Sequence, residues 1–66
     1  MSERDKLIEN LKQQIGVRID ILHFTVINED DFIMRIGRRR LNEMRDEILD
    51  FIIDLRSQIK NIEKNK

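Results

Sequence analysis

Cysteine and proline are both missing from these 66 residues, as are tryptophan, tyrosine and alanine. Each absence removes a class of explanation. Without cysteine there is no disulfide and no thiolate for a metal, and the single histidine, His23, has no second soft ligand to complete a zinc site. The lack of cysteine also fits a reducing compartment. Three phenylalanines are the whole aromatic content, a thin supply for stacking on bases. Neither sign of charge is in excess: 13 basic side chains balance 13 acidic ones, whereas a general polyanion binder carries net positive charge. No apolar run approaches the roughly 20 residues of a membrane span, and MSERDKLIENLK lacks the apolar stretch of a signal peptide. There is no Gly-rich loop and no nucleophile beside a base. The expectation is a soluble, cytoplasmic protein that is not an enzyme, binds no cofactor or metal and touches no membrane.

Length sharpens this. A chain of 66 residues makes one small domain and buries only about 60% of the surface it exposes when unfolded. Domains of this size add disulfides, a metal or a partner subunit. With the first two closed, self-association remains.

What is present is charged and apolar side chains, 39% of each kind, with two glycines. That composition predicts long helices. Twelve isoleucines and no alanine mean that packing, rather than propensity, must hold them. Ser2 is an N-cap with Asp5 three residues on. From there Ile8, Leu11, Ile15, Ile19, Leu22 and Val26 recur at three and four, predicting a helix over about 2–27. Asn28, Glu29, Asp30 and Asp31 carry turn and cap chemistry. A second helix is predicted over about 31–62, with Ile33, Ile36, Met44, Ile48, Phe51, Leu55, Ile59 and Ile62 on its stripe. Residues 63–66 form a polar tail.

The segment IGVRIDILHFTVI, residues 15–27, resists this reading. Its alternation and β-branched content suit a strand, and Gly16 weakens a helix by roughly 1 kcal/mol. The alternation slips between Ile21 and Leu22. The alternative to an all-α fold is therefore α+β, with a strand at 15–27 between two helices.

An antiparallel hairpin turning near residue 29 pairs Leu7 with Phe51, Leu11 with Ile48, Ile15 with Met44, Val17 with Leu41, Leu22 with Ile36 and Val26 with Ile33. The same register sets Arg4 by Asp54, Lys12 by Asp46 and Asp20 by Arg38, but also Arg18 by Arg40. Val17, Ile21 and Phe24 fall off the stripe of the first helix, and Leu49 and Ile53 off that of the second. Ile59 and Ile62 lie beyond the end of the first helix. These seven predict a self-association surface, a homodimer closing a four-helix bundle.

Arg35, Arg38, Arg39, Arg40 and Arg45 are the candidate contacts for nucleic acid or an acidic partner. They spread around a helix instead of forming one stripe, and Arg39 and Arg40 can each reach Glu43. Charge alternates in blocks: three acids in 28–34, a net +4 in 35–45, four acids in 46–54 and a net +3 in 55–66. Two copies of a helix spanning 31–62, packed antiparallel about residue 46, would set basic block on acidic block. Asp46, Asp50 and Asp54 share a face, but one helix face does not wrap a cation.

RLNEMRDEILDFIIDLRSQIKNI resembles the long first helix of the all-helical chorismate mutases, where such a pattern ends in a catalytic arginine. The resemblance covers the last third of the chain, and Arg56 stands one place late, so no activity carries over. The hairpin is similar to the small sporulation phosphatases, whose second helix bears a Ser-Gln-Glu-Leu-Asp motif; Asp46-Glu47-Ile48-Leu49-Asp50 keeps its final Leu-Asp. The architecture also resembles the plasmid-encoded RNA-modulator hairpins, which implies RNA as a partner for the arginines. The expected function is a non-enzymatic, self-associating interaction module that presents a helical surface to a partner protein. The alternative is a nucleic-acid-binding regulator using the arginine cluster.

Overall fold

The computed structural model describes residues 2–64, so Met1 and two positions of the predicted polar tail, Asn65 and Lys66, lie outside the described residues. Ser2 opens the first helix as its chemistry dictates: its side-chain oxygen accepts the Asp5 N–H at 3.2 Å. Helix α1 then runs Glu3–Ile27, α2 Glu29–Ile36 and α3 Arg38–Lys64. The protein is all-α, with the three helices packed together and no strand among the described residues. Residues 15–27 belong to α1, which overturns the strand alternative. A lone strand would leave its backbone donors and acceptors unpaired, whereas a helix satisfies them within itself and loses only about 1 kcal/mol at Gly16.

Asn28 is the whole link between α1 and α2. Its N–H and its side-chain amide both donate to the Phe24 carbonyl, each at 3.0 Å, and its own carbonyl accepts the Phe32 N–H at 3.0 Å. It closes one helix and opens the next.

The single helix expected over 31–62 is two helices. Gly37 breaks it at φ 85° and ψ 155°, a region essentially reserved for glycine. Its N–H caps α2 by donating to the Ile33 carbonyl at 2.9 Å, and its carbonyl starts α3 by accepting the Leu41 N–H at 3.1 Å. The hairpin is therefore closed by a whole short helix, not by a turn at 28–31, and the register moves along α3 by about two turns. Leu11 packs with Leu55 and Ile59 instead of Ile48, with Ile8, Ile15 and Ile62 against them. Arg4 donates to the Glu63 carbonyl at 3.4 Å, far from Asp54. Arg18, expected opposite Arg40, lies 3.9 Å over the Phe51 ring and donates to the Gln14 carbonyl.

The Cα trace measures 48 × 18 × 11 Å with a radius of gyration of 15.1 Å, against about 11 Å for a compact chain of this length. Two long helices lie side by side and the slab is little more than one helix thick. Its buried apolar side chains are Leu11, Leu41, Ile52, Leu55 and Ile59. No helix among the described residues is long and apolar enough to cross a membrane.

Candidate interaction surface

Arg45 is the first predicted contact residue that the fold reassigns. Its guanidinium donates from Nη2 to the Thr25 carbonyl at 3.0 Å, from Nε to the Thr25 hydroxyl at 3.2 Å and from Nη1 to Glu29 Oε1 at 3.1 Å. The Thr25 hydroxyl in turn donates to the Leu22 carbonyl at 2.7 Å. The last turn of α1 holds no basic residue of its own, so Arg45 supplies the cation that a helix C-terminus favours. Its side chain is only 20% exposed, and it joins α1, α2 and α3 at one point. It is a structural clamp, not a free hand for an anion.

The other arginines are divided by the break at Gly37. Arg35 lies in the last turn of α2 and pairs with Asp31 at 3.2 Å; Arg39 pairs with Glu43 at 3.6 Å, as the four-residue spacing predicts. Arg38 and Arg40 form no ion pair among the described residues. Because Arg35 sits on a different helix from Arg38, Arg39 and Arg40, the five never make a continuous basic stripe. The antiparallel pairing about residue 46 also loses its basis, since α3 is centred on Phe51, inside its acidic block. Two copies packed about that centre would set acid on acid.

Of the seven residues expected at a self-association surface, five are exposed: Val17, Ile21, Phe24, Leu49 and Ile53. Ile59 is buried and Ile62 packs beside it; both face α1 of their own chain because the register shift brings α1 alongside them. Sequence reasoning passed over Ile52, which is buried, and Thr25, which is 1% exposed.

The exposed apolar residues fall on two sides of the slab. On one side a groove of about 450 Å³ runs between α1 and α3, floored by Ile15, Ile19, Ile52 and Ile59. Lys12, Arg56 and Lys60 stand at its rim. Leu49 and Ile53 follow Ile52 and Arg56 around α3 on that same side.

The opposite side is set by helix geometry, about 100° per residue. Arg18 points at α3, where it covers Phe51, so Val17 and Ile19 lie on opposite flanks of α1. Ile19 lines the groove, which puts Val17 on the far side, with Ile21 and Phe24 one and two turns along. Phe24 is exposed there, meeting the half-buried Phe32 edge to face at 5.8 Å. On α3 the buried Leu55 likewise separates Arg56, at the groove, from Asp54 on the far flank. Glu47, Asp50 and Asp54, at three- and four-residue steps, give that flank an acidic stripe.

Among the described residues no three His, Cys, Asp or Glu side chains converge as a metal site would require. His23 is exposed on α1, and Asp46, Asp50 and Asp54 lie open to solvent on α3. No family model matches this chain, and no curated protein or solved structure matches it either.

Proposed function

We propose that the protein is a small non-enzymatic interaction module that associates with itself through the apolar surface of its helical slab and presents the remaining helical surface to a partner protein. In its smallest form the assembly has four long helices, α1 and α3 from each of two chains. The observation that carries this reading is the uncovered area. A compact monomer of 8.0 kDa exposes about 4,500 Å², while this chain exposes 5490 Å². The excess, about 1,000 Å², is close to the roughly 800 Å² that each partner gives to a standard interface. A one-layer slab has no second layer of its own to cover that area.

Mass by light scattering across a concentration series is the test. The expected result is a mass that rises from one chain to two or more; a single-chain mass at every concentration would end the proposal.

One observation favours a second reading. Arg38, Arg39 and Arg40 occupy the first turn of α3, which holds no acid, although the positive end of a helix dipole disfavours cations. A nucleic-acid backbone at that end would offset the cost. Changing Arg35, Arg38, Arg39 and Arg40 to Gln separates the readings: nucleic-acid binding collapses with the assembly intact if the second holds, and there is no such binding to lose if the first does.

A further inference from the structure

The two apolar faces of the slab differ in charge, and the difference specifies how copies meet. The groove itself carries Lys12, Arg56 and Lys60 around its apolar floor, and Asp5 and Glu9 lie beyond Lys12 on the α1 edge. The opposite face sets Val17, Ile21 and Phe24 beside Glu47, Asp50 and Asp54. Lys12, Arg56, Lys60, Glu47 and Asp50 have no ion pair among the described residues, and Asp54 accepts only the Gln58 amide at 3.1 Å. A groove meeting another groove across a two-fold axis sets a basic rim on a basic rim, and the acidic face meeting itself is repulsive in the same way. Only unlike faces bring apolar surface together with opposite charge.

We infer that the groove is the docking site for a second copy of this chain, entered by the copy's Val17, Ile21 and Phe24 face with the acidic stripe of its α3 against the basic rim. This deepens the self-association reading and rests on it. The contact is head-to-tail, so, short of a rotation that closes a ring, every added chain leaves one groove and one acidic face open. Association then continues with concentration instead of stopping at a closed pair.

Two variants test this in the full chain. Ile19→Asp spoils the groove, and Ile21→Asp combined with Phe24→Asp spoils the opposite face; all three positions are exposed in the monomer. Circular dichroism checks that each stays helical, with the milder I19N and F24N held in reserve. By light scattering each variant alone is expected at the single-chain mass of 8.0 kDa. An equal mixture is expected to double that mass and go no higher, because one intact groove then meets one intact face.

If either variant alone forms dimers like the wild type while the mixture gains nothing, like faces meet and the head-to-tail inference is overturned with self-association intact. A wild type that stays monomeric at all concentrations overturns the underlying reading instead.

Discussion

Arg45 shows how much one side chain can hold in a molecule with little core. Truncating it removes three charge-assisted donors, leaves the hydroxyl and carbonyl of the nearly inaccessible Thr25 short of a partner and frees Glu29. Leaving buried polar groups unpaired costs more than the bond itself contributed. Arg45→Ala is therefore expected to lower stability by about 2 to 4 kcal/mol in urea unfolding. Arg45→Lys should recover less than half, since an ammonium cannot fork to Thr25 and Glu29 together. A loss under about 0.5 kcal/mol for Arg45→Ala, within the range of ordinary surface changes, would show that the clamp contributes little to stability. Arg18 contributes in another way: stacked over Phe51, it shields a ring that the slab leaves half open.

Among the elements, the two glycines have opposite effects. A Cβ at Gly16 meets nothing, so Gly16→Ala should stabilise α1 by about 1 kcal/mol through helix propensity. At Gly37 space is equally free, but φ 85° forbids the side chain whatever the room. Gly37→Ala should cost about 1 to 3 kcal/mol, and thermal melts of the two variants should move in opposite directions. These positions also mark how far the sequence could be read. The N-cap at Ser2, the helical course of 15–27 preferred over a strand, the Arg39–Glu43 pair and the exposure of Val17, Ile21, Phe24, Leu49 and Ile53 follow from local spacing and cap chemistry. The register did not, because a glycine inside an amphipathic pattern is silent about φ, and the apolar residues of α2 continue the period of α3. Reading α2 as the start of a long helix pairs Leu11 with Ile48, leaves Arg45 on the surface and leaves Ile59 and Ile62 uncovered. The positive φ at Gly37 moves all three.

At the scale of the whole molecule the governing fact is a slab 11 Å thick in its Cα trace with different charge on its two sides. If copies cover one another, the melting temperature must rise with protein concentration by mass action. A temperature constant over a hundredfold dilution would contradict self-association. Salt acts on the charged rims more than on the apolar floor, so assembly should weaken as salt rises to about 1 M while some association persists. Complete indifference to salt would leave the apolar contact in place and remove charge as the guide to its orientation.

The thinness of the slab also fixes how the chain takes up heat. The heat-capacity rise on unfolding scales with apolar surface newly wetted, about 12 to 15 cal/mol/K per residue in compact proteins, and a single layer with five buried apolar side chains among the described residues has less to wet. Calorimetry on dilute protein should give a broad, shallow transition with a heat-capacity step below that range. On concentrated protein the step should grow toward it, as each chain's exposed isoleucines become interior to the assembly.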